Sequence, residues 1–373
     1  MSIFPSESVI HHLVPSVSLA KAWLQTMDPF AIRISGNFGI RWYGLAYAAG
    51  FLLAYFVARV LAIRRLISLS PQQVGDYIIA CILGVLIGGR LGYVLFYNPS
   101  GLRTFSDSFP FWEVLAINHG GMASHGGMIG VILAMVWYGR RHRVSPLHLF
   151  DLSALLVPFG LFFGRLANFV NGELRGVPCD PNFPLAVKFP QEITDDWTPD
   201  LMAKVVNAAD ALGLTRHEWL NIIDLARLGD TEALGTLQFW KHKLVESVQA
   251  GNQVLIDTVR PILTPHHPSQ LYQAFAEGIV LGSCLWTLWR FVLRKGRFAN
   301  RPGFLAVAFL ILYGILRIIT EIWRLPDVGL GRTLGLSRGQ WLSCGMIAGA
   351  VALLSILLMH GRRSVQSEEF PEA

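Results

Sequence analysis

Charge is what this chain has least of. Only 15% of its 373 residues are Asp, Glu, Lys or Arg, where a soluble domain carries about a quarter. Hydrophobic residues make up 53% and the mean hydropathy is +0.45. That balance excludes an ordinary soluble globular domain and points to a polytopic membrane protein. The net charge of +6 is therefore to be read loop by loop, and no nucleic-acid partner is expected. Cysteine is scarce too: Cys81, Cys179, Cys284 and Cys344 are scattered, with no CxxC and no His/Cys pairing at metal-ligand spacing. No metal and no other cofactor is expected. The opening "MSIFPSESVIHHLVPSVSLAKAW" lacks a basic stretch followed by an apolar core, so no cleavable signal peptide is expected. Internal repeats of the kind common in transporters are missing as well.

Long apolar runs are what the chain does have. Seven are long enough to cross a bilayer at about 20 residues each, near 42–61, 74–96, 120–138, 147–170, 271–293, 303–323 and 340–360. Basic residues alternate between the loops. Arg59, Arg64 and Arg65 follow the first run, Arg140, Arg141 and Arg143 the third, Arg290, Arg294, Lys295, Arg297 and Arg301 the fifth, and Arg362 and Arg363 the seventh. The other loops are leaner, with Arg103, then Arg324, Arg332 and Arg338. The basic loops belong on the cytoplasmic side, so the N-terminus is expected outside and the C-terminus inside. The expected fold class is all-α: about seven transmembrane helices plus a helical extracytoplasmic insertion. The expected parts are an interfacial segment 1–40, helices 1–4 over 41–176, the insertion 177–266, and helices 5–7 with a cytoplasmic tail over 267–373.

The insertion carries helix signals. Thr198 followed by Pro199 predicts one helix entry. Thr215 and Glu218 stand at capping-box spacing before a helix that should stop at Gly229. Surface decoration and a partner-docking surface both fit this segment.

Ionisable residues within the spans are costly and usually face a cavity or a partner. Arg90 lies in "GVLIGGRLGYVLFY", beside the small-residue stripe Gly84, Gly88 and Gly92 that suits close helix contact. Arg90 can line a cavity or reach to the interface. His125 sits among Gly120, Gly121, Gly126, Gly127 and Gly130, where another backbone or a lipid can come close. In the fourth run, Asp151 and Arg165 fall near one helix face, with Asn168 one turn beyond. In the sixth, Tyr313, Arg317, Glu321 and Arg324 fall within about 80° of one another on a helical period. Two arginines against one glutamate leave spare positive charge and argue for an anionic ligand. With the expected orientation, Tyr43, His125, Arg165, Asn168, Glu173, Arg317, Glu321 and Arg324 lie toward the outer half of the bilayer, a level at which a phosphate could be bound and a proton moved.

"RWYGLAY", "SHGGMIG", "GRLANFVNGELRG", "HPSQLYQAFAEG" and "YGILRIITEIWRLPD" together resemble the bacterial prolipoprotein diacylglyceryl transferases. The resemblance runs from about Arg41 to the "GQ" of "SRGQWL", interrupted by the insertion. It implies transfer of a diacylglyceryl group from phosphatidylglycerol to the lipobox cysteine of a prolipoprotein in the bacterial inner membrane. It also implies catalytic roles for His125, Arg165 and Arg317. Tyr43, Arg90, Asp151, Asn168, Glu173, Tyr313, Glu321 and Arg324 are expected to bind substrate. Ser124 stands where the family usually has an aromatic, Val177 where it usually has a further arginine, and the stretch before "HPSQLY" is longer. A phospholipid or anion transporter and a lipoprotein-binding paralogue are the alternative readings.

Overall fold

The computed structural model describes residues 22–35, 38–107, 109–116, 120–195, 205–293, 301–326 and 333–369. The helix entry expected at Thr198–Pro199, together with His119, Arg294, Lys295, Arg297 and Arg332, lies outside the described residues.

In chain order the main elements are β1 (Trp23–Leu24), β2 (Phe30–Ser35), β3 (Phe38–Arg41), α1 (Trp42–Ile63), α2 (Pro71–Phe96), α3 (Ser124–His142), α4 (Pro146–Asn171), β4 (Val187–Lys188), α5 (Arg216–Arg227), α6 (Thr231–Gln249), α7 (Gln253–Val259) and β5 (Pro265–His266). A helical stretch over 269–293 follows, interrupted by wide π turns at Ala274–Val280 and Trp289–Leu293. The last two are α8 (Phe304–Thr320) and α9 (Arg338–Glu369). All seven apolar runs are thus helical, but five of the described helices are long and apolar enough to cross a membrane. The count of seven is not reached because α3 carries His125, its glycines and Arg140–Arg141 within 19 residues, and because the stretch over 269–293 is broken into short pieces.

The chain divides into two compact units. The apolar unit holds residues 43–166, 272–322 and 331–373. Its α2 begins with a capping box in which Ser70 and Gln73 satisfy each other's backbone N–H, with Pro71 in the first turn. The glycines expected to permit close approach meet one another. A Cβ on Gly84 would stand 2.7 Å from the carbonyl oxygen of Gly130, and one on Gly126 2.9 Å from the Cα of Gly92. The neighbour that glycine admits here is therefore the backbone of a partner helix, as in small-xxx-small packing within membranes. Polar pairs tie α4 to two of its neighbours: Tyr77 Oη with Ser153 Oγ at 2.6 Å, and Trp286 Nε1 donating to the Leu155 carbonyl at 3.2 Å, one turn before Pro158.

The other unit holds residues 1–42, 167–271 and 323–330. Parallel pairing of β1 with β4 and antiparallel pairing of β4 with β5 make a small sheet. Leu24 shares one core with Ile193, Trp219, Leu244, Leu255 and Val259. The capping box at Thr215 and Glu218 forms as expected, and α5 ends just before Gly229, whose φ is +83°.

Candidate active site

Within the apolar unit, four charged side chains from three segments come together. Glu277 projects from the π turn Ala274–Val280 and is fully buried. Its Oε2 accepts from Arg165 Nε at 3.0 Å and faces Arg165 Nη2 at 3.0 Å. Its Oε1 faces Arg317 Nη1 at 3.4 Å. Arg317 Nη2 in turn faces Glu321 Oε2 at 3.0 Å, and Ser337 Oγ donates to Glu321 Oε1 at 3.1 Å. One carboxylate thus fixes two guanidinium groups that lie 112 and 40 residues away in sequence. The π turn that presents Glu277 is a geometry that recurs at functional sites, and Gly278 lets it lie against Phe162 of α4. Tyr313, one turn before Arg317, stacks on Phe309 at 5.7 Å and is in electrostatic contact with Glu277, Arg165 and Arg317.

This arrangement alters the charge argument. The sixth apolar run, taken as one continuous helix, sets two arginines against one glutamate and implies spare positive charge. In the apolar unit the cluster is Arg165 and Arg317 against Glu277 and Glu321, which sums to zero. Arg324 is not on the same helix face, because α8 ends at Thr320 and a tight turn at Glu321–Trp323 follows. Beyond it Arg324 forms a backbone bridge with Gly176. A guanidinium carries five donors, so each arginine keeps edges that its glutamates do not take.

His125 occupies the second position of α3 and is exposed. Its side chain makes no hydrogen bond or ion pair with any described residue, so the structure does not join it to the arginine cluster. Tyr43 lies in the first turn of α1, stacked on Tyr47 at 6.1 Å. Arg90 does not reach outward: it is 3% exposed and its donors are spent on the loop after α2. Nε bonds the Val114 carbonyl at 2.9 Å, Nη1 the Gly120 and Gly121 carbonyls at 2.7 and 3.1 Å, and Nη2 the Glu113 carbonyl. Arg90 holds that loop. Asp151 also has a fixed task. Its oxygens accept from the N–H groups of Gly303 at 2.6 Å and Ala306 at 2.8 Å, which caps the N-terminus of α8. It lies about 21 Å along α4 from Arg165 at 1.5 Å per residue, too far to share a ligand headgroup with it.

Asn168 and Glu173 belong to the other unit. Asn168 Nδ2 and Asn171 Nδ2 face the two Glu173 oxygens at 3.4 and 3.3 Å. Gly172, with φ +71°, turns the chain out of α4, and the next residues form a short extended strip. Gly176 N–H bonds the His267 carbonyl at 3.0 Å, Val177 N–H the Trp323 carbonyl at 2.9 Å, and Leu325 N–H the Arg175 carbonyl at 3.1 Å. A Cβ on Gly176 would collide with His267 and Trp323, so "ELRG" needs its glycine for packing. Arg175 is buried against Asp195 at 2.6 Å and is structural.

A family model described as prolipoprotein diacylglyceryl transferase matches residues 29–356. The chain belongs to that family. It is 47% identical over 333 residues to the phosphatidylglycerol–prolipoprotein diacylglyceryl transferase of Bdellovibrio bacteriovorus, covering 88% of this chain and 92% of the relative. It is 38% identical to the transferase of that name from Neisseria meningitidis serogroup B, over 86% and 92% of the two chains. It is 35% identical to that of Ralstonia pickettii, over 88% and 92%. For this member of the prolipoprotein diacylglyceryl transferase family, Glu277 is the residue that sequence reasoning passed over. It stands in the motif "HPSQLYQAFAEG", and a lone acid in an apolar run is itself the signal.

Proposed function

We propose that the chain transfers the sn-1,2-diacylglyceryl group of phosphatidylglycerol to the lipobox cysteine thiol of prolipoproteins, forming a thioether and releasing glycerol phosphate, the first step of lipoprotein maturation. The observation that carries this reading is the pair Arg165 and Arg317, fixed by one buried glutamate in an apolar unit of a family named for the reaction. The enzyme is a multi-pass protein of the bacterial cytoplasmic membrane. In our reading α3 and the helical stretch over 269–293 complete seven spans, the N-terminus is outside, and the site opens toward the outer leaflet. Phosphatidylglycerol, prolipoproteins and the surrounding lipids are its partners.

The chemistry assigns the parts. The cysteine sulfur attacks the glycerol carbon, a C–S bond forms, and the C–O bond to phosphorus breaks with its electrons leaving on the phosphate. A thiol with an ordinary pKa near about 8.5 is mostly protonated at neutral pH, and the thiolate is the nucleophile. His125 takes the thiol proton. The phosphodiester, with one negative charge, becomes a monoester with a second, and the arginine edges left by Glu277 and Glu321 meet that growing charge. Tyr43 and Tyr313, of the same apolar unit, orient the head group. His125→Gln is expected to lower turnover by about a hundredfold or more, and near-normal turnover would remove His125 as the base.

The test uses the chain purified in detergent with phosphatidylglycerol and a lipobox peptide. Glycerol phosphate release matched by a gain in peptide mass, abolished in Arg165→Ala, is the expected result. Lipid movement between leaflets without a mass gain would favour transport, and peptide binding without release would favour a lipoprotein-binding paralogue.

A further inference from the structure

A second site lies in the apolar unit, at the end where α1 and α3 finish and α4 and α8 begin. Arg65 lies two residues beyond the end of α1 and Arg143 directly follows α3, both with positive φ, 54° and 56°. Arg301 precedes α8. These three side chains, with His148 and Asp151 of α4, line one cavity of about 680 Å³. The size falls in the range of small-ligand pockets. Leu152, Leu305 and Trp289 form apolar wall.

The charges of this cavity are not balanced. Asp151 is its one lining carboxylate, and both of its oxygens are taken by the N–H groups of Gly303 and Ala306. His148 Nε2 accepts from the Ser68 N–H at 3.1 Å. None of the three guanidinium groups makes a hydrogen bond or ion pair with a described residue. A tendency of basic residues to collect in loops on one side of a membrane explains arginines at this end. It does not explain three of them around one cavity whose single carboxylate is engaged at the start of α8, since like charges brought together repel one another. An anion relieves that repulsion, and planar guanidinium groups are suited to phosphate oxygens.

We propose that the cavity lined by Arg65, Arg143 and Arg301 binds the phosphate headgroup of an anionic phospholipid from the leaflet bathing this end, separate from the Arg165–Arg317 cluster. The apolar wall selects a lipid over free phosphate, since it covers the glycerol and first methylenes. Basic pockets between membrane helices are known to hold anionic headgroups in this way. The inference needs only that the helices span a bilayer, and it stands whether or not the transfer reaction is confirmed.

The test is native mass spectrometry of the delipidated full chain titrated with dioleoyl phosphatidic acid, dioleoyl phosphatidylcholine or inorganic phosphate. The wild type and Arg165→Ala should each hold one phosphatidic acid at this site. R65Q/R143Q/R301Q should bind it at least tenfold more weakly, with phosphatidylcholine uptake unchanged, and R65K/R143K/R301K should restore most of the affinity. Thermal unfolding without lipid checks that the variants fold, and the Lys variant keeps the test decisive if the Gln variant does not. Equal phosphatidic acid affinity in wild type and R65Q/R143Q/R301Q would overturn the proposal. Competition by inorganic phosphate at equal concentration would overturn the lipid assignment, and loss of the same lipid in Arg165→Ala would place it at the other cluster.

Discussion

Replacing Glu277 by glutamine keeps the shape of the side chain and removes its charge. The wild-type cluster in the apolar unit sums to zero, with Arg165 and Arg317 against Glu277 and Glu321; the variant sums to +1. Glu277 is completely buried, and the arginine side chains are only 15% and 11% exposed. Removing one partner from such a pair costs about 3–5 kcal/mol, because the remaining charge is left uncompensated in a poorly polar setting. Glutamine can still accept one hydrogen bond, which places the expected loss near the lower end. The two arginines also lose the shared anchor that sets their relative angle. Catalysis should suffer more than substrate capture: an added positive charge favours an anionic lipid, while misaligned guanidinium edges no longer match the leaving phosphate. The expectation is a kcat lower by about 10–100-fold, equivalent to about 1.4–2.7 kcal/mol of lost transition-state stabilisation, with KM for phosphatidylglycerol unchanged or lower. Glu277→Asp, one methylene shorter, should recover charge but not reach both arginines, and should fall between. The assay is glycerol phosphate release per folded molecule, with thermal unfolding in detergent alongside. A variant with wild-type kcat, KM and melting temperature would refute the idea that Glu277 organises the arginines. A uniform loss of melting temperature with unchanged kcat per folded molecule would reduce it to a structural group.

Gly126→Val should abolish close packing of α2 on α3, since even the first added carbon would stand 2.9 Å from the Gly92 Cα; a loss of monodisperse protein on gel filtration is the expected readout. Asp151→Ala should lower stability by about 1–2 kcal/mol through loss of the α8 cap, while turnover per folded molecule stays within about twofold of wild type, as expected of a cap and not of a substrate ligand. In the polar unit burial pushes the Glu192 carboxyl up, but the His266 ring 3.6 Å away and hydrogen bonds from the Thr264 N–H and hydroxyl outweigh it and hold the group below its ordinary 4.5. Its contribution to stability should therefore be fully present above pH 4.5 and fade as pH falls through its lowered value; Glu192→Gln should flatten that acid limb in unfolding monitored by Trp219 fluorescence.

Much of this architecture could be read from local pattern. A helix over each apolar run needs only length and hydrophobicity, and the Thr215 box needs only two side chains three residues apart. The stripe Gly84, Gly88, Gly92 foretold a close partner, and the structure supplies it in Gly126 and Gly130. What stayed hidden depended on where a helix stops and on pairings distant in sequence. A period of 3.6 carried Arg324 onto the face of Arg317, but the helix ends at Thr320, and nothing in "TEIWRLP" announces a stop before its proline. Asp151 and Arg165 share a face by the same arithmetic, yet a helix face is long, and Asp151 serves the N-terminus of α8 instead. Glu277 was within a quoted motif, but its meaning lies in two arginines 112 and 40 residues away. That missed carboxylate reverses a physical conclusion. The arginines are not a reservoir of unpaired positive charge waiting for any anion. Two glutamates hold them in a neutral, oriented array, and such an array favours the state in which phosphate charge grows over the state in which it first binds.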